Sequence, residues 1–173
     1  TQMFSASGVI DRANYYQRIY AKTASLFEMA ALAACMVATE DEDMRASMKS
    51  YGYEVGMAFQ IVDDILDFTG EQSAVCKPIG SDLLNGLVTL PAIYFAEANP
   101  DDPDVLSLPE GGWKDTERVQ RLVDNIRQSA AIQQAMEEAR QAISRALKSL
   151  GDAPPSAERE ALEDLAKFIV DRK

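Results

Sequence analysis

Apolar positions recur at helical spacing through most of the chain, and almost no segment alternates as a strand would. Tyr15, Ile19, Leu26, Met29, Leu32, Ala33 and Met36 form a stripe that Asp11 can cap, which predicts a helix running to about Thr39. An acidic link, Glu40 to Asp43, leads to a second helix from about Met44 to Phe68. Gly70, Pro78 and Gly80 break the chain into a loop from Thr69 to Gly80. A third helix is predicted from about Ser81 to Ala98, capped by Ser81 or Asp82 and kinked by Pro91. Asn99 to Gly112, rich in proline, glycine and acids, predicts a surface loop. Three amphipathic helices follow, over Thr116 to Gln128, Ile132 to Leu150 and Ala157 to Asp171; Gly151 ends the middle one, and Pro154-Pro155-Ser156 opens the last. The expected fold is all-α, a single domain of about six helices over residues 1–173.

The second helix departs from an ordinary pattern. Tyr53, Val55, Met57, Phe59, Ile61, Val62, Ile65, Leu66 and Phe68 are apolar nearly all round, as in a helix enclosed by others. The polar exceptions, Gln60, Asp63, Asp64 and Asp67, have offsets 0, 3, 4 and 7 and share one stripe. Gly56 and Gly52 continue that stripe backwards. Carboxylates clustered on a buried face must be paired, protonated or metal-bound, because an unpaired buried charge is expensive. Oxygen ligands without histidine or thiolate select magnesium, manganese or calcium, and magnesium needs only one or two carboxylates when phosphates complete its shell. A solvated acidic patch is the simpler reading of most acid clusters, but here helix signal runs well upstream of Asp63 and the flanks are apolar.

Composition narrows the choices. The chain has 173 residues and a net charge of −11, which disfavours a nucleic-acid partner. It contains no histidine, which removes His-dependent zinc sites and Ser–His or Cys–His catalysis. Cys35 and Cys76 give no disulfide framework and no signal peptide is evident, so a reducing, cytoplasmic setting is expected. The run from Ala21 to Thr39 is apolar enough to consider as membrane-spanning, but Lys22, Thr23, Glu28 and its many alanines predict a core helix and no transmembrane segment. Thr1 is no natural start, and the chain reads as part of a longer protein.

Phe59-Gln60-Ile61-Val62-Asp63-Asp64-Ile65-Leu66-Asp67 resembles the second aspartate-rich motif of the trans-isoprenyl diphosphate synthases, or polyprenyl synthetases. Two further segments agree in order and approximate spacing. Lys22-Thr23-Ala24-Ser25-Leu26-Phe27 resembles the family's Lys-Thr segment, although an isolated Lys-Thr pair also suits a snorkelling surface lysine. Cys76-Lys77-Pro78-Ile79-Gly80-Ser81-Asp82-Leu83-Leu84-Asn85-Gly86-Leu87-Val88-Thr89-Leu90-Pro91 resembles its Gly-Lys-Pro-x-Gly-x-Asp-Leu segment ending in Thr-Leu-Pro. Cys76 stands where glycine is usual and Leu87 where a second lysine is usual. The motifs cover roughly Asp11 to Ala98; the first aspartate-rich motif and an arginine pair, upstream in the family, are missing. The chain therefore resembles the C-terminal half of such a synthase.

The resemblance implies an isoprenoid-synthase helical bundle and a magnesium-dependent prenyltransferase that condenses an allylic diphosphate with isopentenyl diphosphate. It implies that Asp63 holds Mg2+ directly and that Asp64 and Asp67 do so directly or through water. Lys22 and Lys77 would grip the diphosphate, with Gln60 and Thr23 orienting it, and Asp63, Asp64, Asp67, Lys22 and Lys77 are expected to converge on one cavity. It further implies a homodimer that needs the missing N-terminal half, so that this stretch alone is inactive. Leu87 and Cys76 keep open a second expectation, a non-catalytic or regulatory subunit of a heteromeric synthase. A terpene cyclase would share the metal–diphosphate chemistry without these lysine segments.

Overall fold

A computed structural model describes residues 11–70, 78–151 and 155–172. Among these residues the chain is helical, with no strand. The order is α1 (Arg12–Ile19), a π-helical turn (Tyr20–Ala24), α2 (Ser25–Ala38), α3 (Glu42–Thr69), α4 (Ser81–Leu84), α5 (Leu90–Ala98), α6 (Pro103–Ser107), two 3₁₀ turns (Leu108–Glu110 and Gly112–Lys114), α7 (Thr116–Gln128), α8 (Ala131–Ser149) and α9 (Ala157–Asp171). The described residues form two compact units, 11–16 with 63–135, and 17–62 with 136–172.

Local chemistry sets most of the boundaries. Asp11 caps α1, its carboxylate accepting from the Ala13 amide at 2.8 Å. Asp41 opens α3 by accepting from the amides of Asp43 and Met44 at 3.0 and 3.2 Å. Asp115 and Ser156 cap α7 and α9 in the same way. The predicted helix from Ser81 to Ala98 is in fact two. Gly86 adopts φ +72°, the left-handed region that glycine alone enters without strain, and α5 starts afresh at Leu90. Pro91 thus sits in the first turn, where its missing N–H needs no partner, and does not kink a helix interior. The predicted loop from Asn99 to Gly112 also folds further than expected. Asp102 accepts from the amides of Asp104 and Val105 and starts α6.

The unit of residues 11–16 and 63–135 packs the end of α3 with α4, α5 and α7 around Phe68, Leu83, Leu90, Ile93, Leu122 and Ile126, each 2% exposed or less. Arg12 holds α1 to α5, forming a two-pronged ion pair with Glu97, one prong at 2.7 Å, and lying 4.4 Å over the Tyr94 ring. Buried Asp104 takes both prongs of Arg121, at 3.1 and 3.2 Å, joining α6 to α7.

In the other unit, α2 and the first part of α3 approach closely. A Cβ at Gly52 would stand 2.5 Å from the Phe27 carbonyl oxygen, and one at Gly56 would stand 2.6 Å from Ala24 Cα. The glycines are there because backbone occupies the space. Tyr51 donates from its buried hydroxyl to the Leu162 carbonyl at 2.7 Å, and Arg145 grips Glu54 with two bonds at 2.8 and 2.9 Å, so α9 and α8 are tied to α3.

Two expectations for the first helix need correction. It is not one regular helix, because a π-helical turn interrupts it at Tyr20–Ala24. Nor is α2 a core helix: within it only Glu28 and Cys35 are buried, while Leu26, Met29, Met36 and Val37 are exposed, Val37 at 91%. Among the described residues, Arg12–Ala38 is the one helical stretch long and apolar enough to cross a membrane by length and composition. The burial of Glu28, with Lys49 Nζ at 3.4 Å, instead fits a helix packed against α3 along one side.

Candidate active site

The four polar residues of the stripe lie on α3 as the spacing predicts, but they do not share one buried environment. Asp63 is exposed, Asp67 is half-buried, and Asp64 is 4% exposed. The expectation of three carboxylates on one buried face is therefore corrected. A helix turns by about 100° per residue, so neighbours in one stripe can still meet different surroundings.

Each buried or half-buried carboxylate has protein donors. Tyr15, 1% exposed on α1, donates from its hydroxyl to Asp64 Oδ2 at 2.9 Å. Asp67 accepts from Ser81 Oγ at 2.6 Å and from the Asp82 amide at 3.0 Å, and its backbone carbonyl accepts from the Gly80 amide at 2.8 Å. Asp67 thereby fixes the chain where it re-enters α4. Gly80 suits this junction because it adopts φ +73° and its Cα faces the Val123 side chain, leaving no room for a Cβ. Among the described residues, no three acidic or thiol side chains stand close enough to hold a metal ion together.

Lys22 and Thr23 fall inside the π-helical turn, a wider turn that inserts one extra residue and is frequent at functional sites. Lys22 is exposed. Thr23 donates from its hydroxyl to Gln60 Oε1 at 2.6 Å, so two of the sequence-predicted residues meet directly. Gln60 is 2% exposed, and using its carbonyl oxygen to accept from Thr23 sets the orientation of its amide. Beside it, the Phe59 ring lies 5.5 Å from that of Phe27 and 4.5 Å from the Arg172 guanidinium.

Lys77 and Cys76, both singled out in the sequence, lie outside the described residues. Leu87 is half-buried, and its amide donates to the Asp82 carbonyl at 2.7 Å. Thr89, next to Leu90-Pro91, has a buried hydroxyl without a hydrogen-bond partner among the described residues.

Sequence reasoning missed Tyr15 beside Asp64 and Ser81 beside Asp67 in one unit, and Arg172 beside Phe59 in the other. In the sequence Tyr15 reads only as an apolar stripe position, although a buried tyrosine hydroxyl ordinarily needs a polar partner. Ser81 reads as a helix cap in the sequence, and it donates to a carboxylate of the stripe instead.

The family model described as polyprenyl synthetase matches residues 1–126. The chain belongs to the polyprenyl synthetase family. It is 35% identical over 159 residues to heptaprenyl diphosphate synthase component 2 of Bacillus subtilis (strain 168), covering 92% of this chain and 45% of that one. Its fold matches the heptaprenyl diphosphate synthase of Staphylococcus aureus with a TM-score of 0.87 at 31% identity, over 94% of this chain and 51% of the other. A polyprenyl synthase of Caulobacter crescentus CB15, solved with calcium and isoprenyl diphosphate, matches with a TM-score of 0.84 at 31% identity over 94% and 50%. The chain spans about half the length of the polyprenyl synthetases it matches.

Proposed function

We propose that this chain is part of a prenyltransferase that joins an allylic diphosphate to isopentenyl diphosphate and so lengthens an isoprenoid chain. The allylic C–O bond breaks and its electron pair leaves with diphosphate. The double bond of isopentenyl diphosphate forms the new C–C bond, and loss of a proton restores a double bond. The observation that carries this reading is the exposed Asp63 carboxylate on the same helix as Gln60, within a chain of polyprenyl synthetase family.

Asp63 is assigned as the residue that holds Mg2+, with Asp64 and Asp67 contributing through water or by supporting their surroundings. Bound there, Mg2+ supplies charge neutralisation for diphosphate as a leaving group. Lys22 and Lys77 bind the diphosphate. Gln60 and Thr23 orient the diphosphate, with Thr23 fixing the Gln60 amide through its hydroxyl. The calcium and isoprenyl diphosphate of the Caulobacter crescentus protein support this ligand class. A homodimer in the cytoplasm and a requirement for a further N-terminal half belong to the same reading. The word "component" in the name of the Bacillus subtilis relative favours a second arrangement, in which the chain works beside a different subunit.

The test is product formation by the full-length protein with Mg2+ and both substrates, repeated on Asp63→Ala. Mg2+-dependent elongation that Asp63→Ala abolishes supports the proposal. Full activity in Asp63→Ala removes its centre.

A further inference from the structure

Tyr15 has no role in the chemistry described so far, yet its placement is specific. Its ring is 1% exposed on α1, and its hydroxyl donates to Asp64 Oδ2 at 2.9 Å across 49 residues of sequence. Asp64 is itself 4% exposed. A carboxylate at such a depth needs donors to offset its lost hydration. A tyrosine hydroxyl at the end of a rigid ring also determines the direction in which the carboxylate points.

The helix carrying Tyr15 is itself held. Three residues upstream, Arg12 makes its two-pronged ion pair with Glu97 and lies 4.4 Å over Tyr94, fixing α1 to α5. The neighbouring Tyr16 ring meets Tyr15 edge-on, with centroids 5.4 Å apart and an interplanar angle of 65°. The hydroxyl therefore has little freedom to follow Asp64 if that side chain turns.

We propose that Tyr15 is a positioning residue for prenyl transfer, which holds Asp64 in the orientation that the metal–diphosphate complex at the adjacent Asp63 requires. The inference rests on the prenyltransferase reading above. Tyr15 contacts neither substrate nor metal in this scheme and acts through Asp64. A role in packing alone belongs to the ring; a role in positioning belongs to the hydroxyl. Tyr15→Phe separates them.

The experiment measures binding of inorganic diphosphate to the full-length protein by calorimetry, with and without Mg2+, for wild type, Tyr15→Phe, Asp64→Asn and the double variant. Melting temperatures are recorded alongside. Losing a hydrogen bond to a charged group should weaken Mg2+-dependent diphosphate binding about tenfold in Tyr15→Phe, and binding without Mg2+ should stay unchanged. In the Asp64→Asn background the second substitution should cost nothing further, because the two residues act as one unit. Arg12→Met leaves the hydroxyl intact but loosens α1, and it should give a smaller loss in the same Mg2+-dependent term. This variant decides the matter if Tyr15→Phe fails to fold. Equal loss with and without Mg2+, additive effects of Tyr15→Phe and Asp64→Asn, or a lowered melting temperature with unchanged Mg2+-dependent binding would each overturn the positioning role while leaving prenyl transfer standing. A wild-type protein that binds diphosphate no better with Mg2+ overturns both.

Discussion

Substituting alanine at Gly56 tests how the helix bearing Gln60 is held against the turn bearing Thr23. The added Cβ would lie 2.6 Å from Ala24 Cα and 3.0 Å from the Cβ atoms of both Ala24 and Phe27. Carbon atoms in contact prefer about 3.5–4.0 Å, so α2 has to retreat by about 1 Å. None of these atoms is the tip of a flexible side chain that could swing away. Overpacking of this kind costs about 1–3 kcal/mol, and alanine returns up to ~1 kcal/mol through its better helix propensity. The net loss is about 1–2 kcal/mol. For a protein of this size each kcal/mol lowers the melting temperature by about 2–4 °C. Activity should suffer more than stability. Thr23 directly precedes Ala24, and its 2.6 Å bond to Gln60 does not survive a retreat of that size. Thermal melting and steady-state kinetics on the full-length protein check both points. A Gly56→Ala protein that melts at or above the wild-type temperature with unchanged kinetics would refute the close-approach argument.

Asp63→Ala should lower kcat by about 10²–10³-fold, the equivalent of roughly 3–4 kcal/mol of lost transition-state stabilisation, with a small effect on KM for isopentenyl diphosphate. Lys77→Ala should raise KM for the allylic substrate at least as much as it lowers kcat, in kinetics with each substrate varied separately. Asp67→Ala should be milder than Asp63→Ala in kcat but should destabilise the protein by about 1–3 kcal/mol, because Ser81 Oγ and the Asp82 amide lose their acceptor; a double-mutant cycle in urea should couple it to Ser81→Ala. Burial pushes the Tyr51 hydroxyl up to about 12. The folded state then keeps a proton that the unfolded chain releases near pH 10, so this contribution is intact below about pH 10 and falls as pH rises towards 12. Tyr51→Phe should remove that part of the alkaline decline, seen by comparing denaturation midpoints of the two proteins from pH 9 to 12.

The starts of α3, α7 and α9 were legible because each apolar stripe follows a side chain able to cap, and Gly70 marks the end of α3. The family was legible because Phe59 to Asp67 resembles its second aspartate-rich motif, while helical period alone gives only the shared stripe of Gln60, Asp63, Asp64 and Asp67. Pro91 was misplaced for a definable reason. A proline within a helical pattern marks either a kink or a first turn, and only the left-handed backbone at Gly86 decides for the second. The π-helical turn at Tyr20–Ala24 left no trace in the periodicity, since one inserted residue merely shifts the phase of an alanine-rich stripe with few large side chains to register it. The exposure of α2 was illegible for a different reason. Apolar composition says that a surface favours burial, but not whether the chain in hand covers it.

The carboxylate stripe shows where sequence reasoning stops. Periodicity places residues on a face, but the polarity of what meets that face is supplied from elsewhere. Asp64 meets α1 through Tyr15, 49 residues upstream, and Asp67 meets the start of α4 through Ser81, 14 residues downstream. Both partners were visible as residues whose polar groups would need an address once buried. Nothing local gave the address, because it depends on which helices pack at that end of α3. The division that results has chemical content. An aspartate whose oxygens accept from protein donors loses some of its capacity for a metal or for substrate-bound water, and gains a fixed geometry in exchange. Asp63 is the exposed member of the three, whereas Asp64 accepts from Tyr15 and Asp67 from Ser81 and the Asp82 amide. Three carboxylates at one helical spacing thus meet one exposed and two more enclosed settings, and substitutions at the three should fail in different assays rather than in the same one by degrees.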